Sequence, residues 1–230
     1  MIKRAFINGK LTLTQAESVI DIINSKIDGS FAATSYDNVI NSSSANLNIS
    51  NSTIKIAGSL AAGKNINITN STIETLQGKA ESSGSVYASG ELKIEDSEIT
   101  ADYRVWGVED VFITNSSVTT KKLSVTSQKG NLNIVDSDID AGVGMQAEEG
   151  IFMKLSDVVV KSIIISTKGN LQIENTNLRT EKGISAVKFV DITDSVIEIF
   201  GDDASFEFGD GVSGSTISNS TINTSCELES

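Results

Sequence analysis

One eight-residue phrase recurs nine times along the chain and constrains its fold more than any other feature. It reads apolar-x-apolar-x-Asn/Asp-Ser-x-apolar, and its clearest copies span residues 47–54, 66–73 and 92–99. Further copies begin at Val111, Leu132, Ile151, Leu171, Val190 and, in degraded form, Ser215, so that successive starts lie 19–26 residues apart. A period near twenty residues is too short for a repeat made of helices and suits one coil of a β-solenoid.

Each copy of the phrase predicts a strand followed by a corner. Its first and third residues are apolar and alternate with polar ones, which is the period of two of a β-strand. The Asn/Asp-Ser pair then favours a turn, because Asn and Asp tolerate the left-handed backbone region. We expect these Asn/Asp residues to stack in a column that passes amide hydrogen bonds from coil to coil, with Leu155 breaking it. Two further apolar positions per coil, exemplified by Ile54 and Leu60, indicate three short strands in all.

These patterns predict an all-β fold, a single-stranded parallel β-helix of about nine coils. The chain contains no proline, which fits stacked strands because proline would remove a ladder hydrogen bond. We expect a right-handed winding, since the strict six-residue period typical of left-handed solenoids is absent. Residues 31–225 are assigned to the solenoid and residues 226–230 to a tail.

Residues 1–30 do not follow the repeat as read above, and they predict an N-terminal cap. Residues 14–17 form a capping box for a helix, and Gly29 suits the position that ends it. The apolar residues between them fall at helical spacing, namely Ala16, Val19, Ile20, Ile23 and Ile27. An amphipathic helix here would cover the apolar end of the first coil and block end-to-end strand pairing.

Composition narrows the range of partners and chemistries. The net charge is −12 and the acidic residues are dispersed without a basic patch, which disfavours binding to nucleic acid or to an anionic membrane surface. No apolar run approaches the roughly 20 residues that span a bilayer, and no signal peptide is visible, so membrane insertion is not expected. The chain has no histidine, which excludes His-based triads and His metal sites. The single Cys226 cannot form an internal disulfide.

An aromatic pair is the candidate carbohydrate site. Tyr87 and Trp106 occupy equivalent outward positions on adjacent coils, beside an insertion at residues 78–85. We expect the two rings to stack at the spacing of neighbouring strands, and flat exposed rings in a row suit the apolar face of a sugar. The alternative is an ordinary aromatic ladder partly covered by the insertion.

Acidic residues form two candidate calcium sites. Asp138 and Asp157 share one outward column, and Asp140 lies on the same strand as Asp138, so two or three carboxylates meet there. An inserted loop at residues 201–214 carries the second set, which consists of Asp202, Asp203 and Asp210. Calcium would be an optional ligand rather than a required cofactor. The alternative for both sets is a solvated acidic face.

The repeats and the N-terminal segment each resemble a known family. The pattern Gly-Asn-Leu-x-Ile-x-x-Ser-x-Ile, over about residues 40–225, resembles bacterial haemagglutinin-type adhesin repeats and the β-helical carbohydrate-binding domains of secreted bacterial proteins. This resemblance implies an extracellular or cell-surface bacterial rod that binds polysaccharide, with calcium sometimes bound. Residues 3–27 resemble a segment of the MnmE family of tRNA-modifying GTPases. The GxxxxGK[ST] and Cys-x-Gly-Lys motifs of that family are absent, so its activity does not carry over.

Three functions follow as hypotheses. The first is a non-catalytic surface or secreted β-solenoid that binds polysaccharide or matrix, as adhesins do. The second is a purely structural rod that self-associates end to end, supported by a polar tail after Ile222 in place of a cap. The third is a calcium-dependent polysaccharide lyase of the pectin-lyase-like kind, with a basic residue near acids. Arg179 shares its column with Glu198, which a surface ion pair explains better, so we expect no enzymatic activity.

Overall fold

Three parallel β-sheets wind around one apolar core to form a β-solenoid. The computed structural model describes residues 6–8, 12–15, 19–30, 38–202, 204–208 and 214–225. Each coil contributes one strand to each sheet, which we call sheets A, B and C in the order that they follow from the start of the repeated phrase. All pairings between consecutive coils are parallel. The predicted all-β parallel β-helix is therefore confirmed, and its right-handed winding stays a prediction.

Sheet A contains ten strands and holds the first half of every repeated phrase. Its members are β3 (Ile20–Ile23), β6 (Leu47–Ser50), β8 (Ile66–Thr69), β11 (Leu92–Glu95), β14 (Val111–Thr114), β17 (Asn131–Val135), β20 (Gly150–Lys154), β23 (Asn170–Glu174), β26 (Val190–Thr193) and β29 (Thr216–Ser218).

Sheet B begins after the Asn/Asp-Ser corner. Its members are β1 (Phe6–Asn8), β4 (Lys26–Gly29), the first half of β7 (Thr53–Ala62), β9 (Thr72–Leu76), β12 (Glu98–Ala101), β15 (Ser117–Thr120), β18 (Asp138–Ala141), β21 (Asp157–Val160), β24 (Asn177–Thr180), β27 (Val196–Ile199) and β30 (Thr221–Thr224).

Sheet C closes each coil and carries the aromatic pair. Its members are β2 (Thr12–Gln15), β5 (Asn38–Ser42), the second half of β7, β10 (Val86–Ala88), β13 (Val105–Gly107), β16 (Val125–Ser127), β19 (Met145–Ala147), β22 (Ile163–Ser166), β25 (Gly183–Ala186) and β28 (Ser205–Phe208).

The core consists of apolar columns that run the length of the rod. The inward positions predicted from the phrase are buried in every complete coil, with Ile49, Ile68 and Ile94 as one example of a column. The last coil is the exception, since Ile222 is only partly buried and Ile217 is exposed. Burying an aliphatic side chain contributes about 1.5–3 kcal/mol, while each ordered residue costs about 1–2 kcal/mol of backbone entropy. A single coil is therefore unstable alone, and the stack supplies the stability.

The corner between sheets A and B contains two parallel columns of polar residues. The outer column is the predicted one, and its residues have positive φ, as at Asn51 (49°) and Asn70 (46°). Its amide ladder is present in part, since Asn70 Nδ2 donates to Asn51 Oδ1 at 2.7 Å. Leu155 also has a positive φ, 52°, although it lacks the side chain that favours this conformation.

The inner column is a buried hydroxyl ladder that the sequence analysis did not predict. From its second member onward, each hydroxyl of this column accepts a hydrogen bond from the backbone N–H of its counterpart one coil earlier, as from Ser97 to Ser116 Oγ at 3.0 Å. Each hydroxyl also donates to the carbonyl two residues earlier, as from Ser116 Oγ to Thr114 at 2.7 Å. The ladder runs through Ser25, Ser52, Ser71, Ser97, Ser116, Ser137, Ser156, Thr176, Ser195 and Ser220.

The predicted N-terminal helix is wrong where the structure describes that segment. β3 and β4 occupy residues 20–29, and they pair in parallel with the next coil through Ile20↔Leu47 and Ile27↔Ile54. Residues 20–27 are in fact a further copy of the phrase, with Asn24 at φ 50°. Apolar residues at 20, 23 and 27 fit a helix as well as a strand with a corner, so spacing over so short a run did not discriminate.

The other residues expected in the helix either have a different structure or fall outside the described residues. Val19, expected in the apolar stripe, is exposed. Residues 12–15, which include the start of the proposed capping box, form β2. Ala16 lies outside the described residues. No helix in the described part of the chain is long and apolar enough to cross a membrane.

Candidate functional site

The aromatic pair lies on the outer face of sheet C, where β10 and β13 place Tyr87 directly opposite Trp106. The ring centroids are 5.0 Å apart and the ring planes meet at 62°, so the contact is edge-to-face. The expected stacking of the two rings is therefore wrong, and both side chains are half-buried. An edge-to-face pair is a favourable aromatic arrangement and holds both rings in fixed positions.

Arg104 completes this site, and the sequence analysis did not assign it a role. Its guanidinium carbon lies 3.7 Å from the centroid of the Trp106 ring and 5.8 Å from that of Tyr103. The signal that could have found it is its position two residues before Trp106, because alternate residues of a strand point to the same face. We call Tyr87, Arg104 and Trp106 the aromatic–arginine cluster.

The charge of Arg104 is not neutralised within the described part of the chain. None of the ion pairs found there includes Arg104. Burial lowers the pKa of the Arg104 guanidinium, and the nearby Tyr103 and Tyr87 counteract this only in part. Arg104 Nε and Trp106 Nε1 are both buried without a hydrogen-bond partner among the described residues. The cluster thus has two donors whose hydrogen-bonding capacity is unused, which is costly inside a protein.

The insertion before β10 is fixed at the edge of the cluster. Within it, the Ser83 hydroxyl accepts from the Gly78 N–H at 2.6 Å and donates to the Ala80 carbonyl. The Asp102 carboxylate anchors its start by accepting from the Gln77 N–H at 2.9 Å and from Lys121 Nζ at 2.7 Å.

The pKa of Asp102 reflects these contacts. Burial raises it, but the hydrogen bonds from Lys121 and Gln77 and the charge of Lys122 outweigh burial and hold the pKa below its ordinary value.

Small and hydroxylated residues flank the cluster along sheet C. Ala61 is the neighbour of Tyr87 in the preceding coil, and Thr126 is the neighbour of Trp106 in the following one. The Thr126 hydroxyl lies 2.7 Å from that of Ser124, within hydrogen-bond distance. Exposed Gln146 continues the column. A ligand lying along this face would therefore meet aromatic edges and a cation first, followed by hydroxyl and amide groups.

The first predicted calcium site is a pair of acids rather than a cluster. Asp138 is opposite Asp157 on sheet B, and Asp140 is opposite Val159. Asp157 Oδ1 already accepts from Asn177 Nδ2 at 2.7 Å. No group of three or more acidic, cysteine or histidine residues suited to a metal ion occurs within the described ranges. Calcium binding at this face stays a prediction.

Only one residue of the second predicted calcium site lies within the described residues. Asp202 is described and exposed, whereas Asp203 and Asp210 lie outside the described residues.

A shallow polar groove of about 820 Å³ follows the corner between sheets A and B. It is lined by members of the outer corner column, by ladder serines and by the first residues of the sheet B strands, including Asn70, Asp96, Asn115 and Leu155. Most of these side chains repeat from coil to coil and are accounted for by the packing of the corner.

Arg179, the basic residue considered for a lyase, forms an ion pair. Arg179 Nε donates to Glu198 Oε2 at 2.8 Å, and the guanidinium lies 5.5 Å from the Phe200 ring centroid. Arg179 thus resembles Arg104 in its aromatic contact but differs in having a carboxylate partner.

The comparisons with known proteins return no match among family models, curated proteins or solved structures. The candidate site therefore rests on geometry alone.

Proposed function

We propose that this chain is a non-catalytic β-solenoid that binds polysaccharide or matrix glycan through the aromatic–arginine cluster. The observation that carries the proposal is the juxtaposition of two packed rings, 5.0 Å apart, with the Arg104 guanidinium, which lies 3.7 Å from the Trp106 ring and has no ion-pair partner among the described residues. Sugars present apolar C–H faces together with hydroxyl acceptors, and a site that combines aromatic carbon with placed donors complements both.

The position of the cluster on the rod supports an extended ligand. Sheet C is an elongated surface, and Ser124, Thr126 and Gln146 extend the polar side of the cluster over the next two coils. In a polymer lying along the rod, successive sugar units would each make weak contacts with this surface. The resemblance of residues 40–225 to adhesin and carbohydrate-binding repeats favours the same function, and it favours an extracellular or cell-surface location.

The lyase hypothesis receives less support from the geometry. Elimination from a uronate requires a free base near a bound substrate. The Arg179 guanidinium is engaged by Glu198 instead. Arg104 lies over an aromatic ring, and the described contacts bring no carboxylate to it that would hold calcium beside a substrate.

A binding assay with matched variants tests the proposal. Purified protein is titrated by calorimetry against a panel of neutral and acidic oligosaccharides, with calcium and with a chelator. Trp106→Ala should weaken binding about 10-fold or more, because buried aromatic residues contribute most of the energy at binding sites. Phe112→Ala removes an outward aromatic residue of sheet A and should leave affinity unchanged. Equal losses in both variants, or no binding by the folded protein, would contradict the proposal.

A structural rod is the second candidate, and one observation favours it. Strand β29 pairs only with β26 within the described residues, and Ile217 on it is 48% exposed, whereas its counterpart Ile192 in the preceding coil is fully buried. An open apolar coil of this kind favours continuation by another strand layer. Concentration-dependent filaments in light scattering, without glycan binding, would support this function instead.

A further inference from the structure

The charge at the aromatic–arginine cluster points to the class of sugar. Arg104 is the cation of the cluster, and it is half-buried beside Trp106 with no carboxylate partner among the described residues. The chain has 30 acidic and 18 basic residues, so carboxylates are plentiful, yet none of the described ones pairs with this half-buried guanidinium. The acid closest in sequence, Asp102, is engaged by Lys121.

Arg179 shows how this chain pairs an outward arginine that has no proposed ligand. Its guanidinium also lies near an aromatic ring, at 5.5 Å from Phe200, but Glu198 neutralises it through two hydrogen bonds of 2.8 and 3.4 Å. Pairing across adjacent strands of sheet B is thus available to an outward arginine. At Arg104 the neighbours in the same column are Ser85 and Ser124, which provide no charge.

We propose that the cluster recognises an acidic sugar, with the Arg104 guanidinium binding the carboxylate of a uronic acid or the sulfate of a sulfated sugar. This inference rests on the proposed glycan-binding function and specifies its substrate class. A guanidinium donates two parallel hydrogen bonds to either anion, and such charge-assisted pairs are stronger than neutral ones. The exposed part of the Trp106 ring would pack against the apolar face of the same sugar unit.

The net charge of the chain limits how such a ligand approaches. At −12 the protein repels a long polyanion as a whole, and added salt screens this repulsion. Short oligosaccharides are therefore the appropriate probe, because a single anionic group then reaches Arg104 with little long-range penalty.

The decisive experiment compares ligands that differ only in charge. Tri-galacturonate and its fully methyl-esterified form are titrated into the wild-type protein, and a sulfated galactan oligosaccharide of the same length forms a third arm. We expect the free acid to bind about 10-fold more tightly than the ester, as a charge-assisted hydrogen bond predicts. Tighter binding of the sulfated arm would identify sulfate as the preferred anion.

Two arginine variants show which residue is responsible. Arg104→Gln should abolish the preference for the acid over the ester, whereas Arg179→Gln should preserve it. Arg104→Lys keeps the charge but loses the two parallel hydrogen bonds, so it should retain part of the preference for the acid. Circular dichroism checks that each variant is folded.

The outcomes separate the inference from the function on which it rests. Equal affinity for acid, ester and sulfated forms would overturn the acidic-sugar inference and leave glycan binding intact. No binding to any of the three by folded wild-type protein would overturn both. A preference lost equally in Arg104→Gln and Arg179→Gln would overturn the assignment to Arg104.

Discussion

The corner between sheets A and B and the aromatic–arginine cluster on sheet C use polar side chains in opposite ways. At the corner, Ser116 Oγ both donates and accepts, and the same pair of bonds recurs in the other coils of the ladder. In the cluster, Arg104 Nε and Trp106 Nε1 have no partner within the described structure, and the arrangement occurs once. The repeated, satisfied residues of the corner explain the fold, whereas the unrepeated cluster is where we propose that a ligand binds.

The largest expected effect on stability comes from breaking the hydroxyl ladder. Ser116→Ala leaves the buried N–H of Ser97 and the carbonyl of Thr114 without their partner, which should cost about 1–3 kcal/mol in the free energy of unfolding. Urea denaturation measures this loss. Ser117→Ala, at the exposed neighbouring position, is the control and should change stability by less than about 0.5 kcal/mol. Similar losses in both variants would show that the ladder does not stabilise the corner.

The outer corner column should depend on backbone conformation more than on its side chains. Asn115 is exposed, has φ 46° and donates to Asp96 Oδ1 at 2.6 Å. Asn115→Ala and Asn115→Gly both lose that hydrogen bond, but only alanine is strained at positive φ. The alanine variant should therefore be less stable than the glycine variant by about 1 kcal/mol. If the two variants denature at the same urea concentration, the positive φ carries no cost at this corner.

Leu155 offers the converse test, in which a substitution restores the repeat. It has φ 52° and is 53% exposed, so leucine contributes strain without burial. Leu155→Asn should stabilise the protein by about 0.5–1 kcal/mol, because asparagine tolerates this conformation. Thermal denaturation would register the gain as a higher midpoint. A loss of stability instead would reveal a packing role for Leu155 in the corner groove.

Low pH should weaken the contacts of Asp102 near the cluster, and it should leave the hydrogen bonds of the hydroxyl ladder unchanged. Burial raises the pKa of Asp102, but its hydrogen bonds and the lysine charges lower it more, so the net pKa lies below the ordinary value of an aspartate. The stability that Asp102 contributes is therefore present above its unfolded pKa of about 3.9 and is lost as pH falls through the lower folded value.

The amide resonance of Gln77, which donates to Asp102, reports this titration. It should shift with a midpoint below the ordinary pKa of an aspartate, and Lys121→Gln should raise the midpoint. The Ser52 amide, which donates to the Ser71 hydroxyl and follows an asparagine, is the control and should not shift in this range. A Gln77 midpoint at or above the ordinary value would contradict the assigned contacts.

The sequence predicted the solenoid because few other folds combine a two-residue apolar alternation with a repeat of about twenty residues. It specified the inward residues and the positive-φ corner, as at Asn70. It did not reveal the serine ladder, since serine after asparagine is also expected in any turn. The strands at residues 20–29 were missed because Ile20, Ile23 and Ile27 satisfy a helical spacing as well.

The candidate site was predicted only in part for a related reason. Strand periodicity brings Tyr87 and Trp106 together, but it does not determine the angle between their rings or the packing of Arg104 on the indole. Those features depend on rotamers and on which neighbours are small, such as Ala61. That no carboxylate among the described residues pairs with Arg104 is likewise a property of the folded surface and not of any motif.

The most direct test of glycan binding at the cluster uses the only tryptophan of the chain, because Trp106 makes intrinsic fluorescence a reporter of this site alone. Tri-galacturonate is titrated into the wild-type protein while tryptophan emission and calorimetric binding are followed together. We predict a saturable change in emission with the same dissociation constant as the calorimetric curve, and loss of both in Arg104→Gln. Calorimetric binding without any change in Trp106 emission would place the ligand elsewhere and contradict the account.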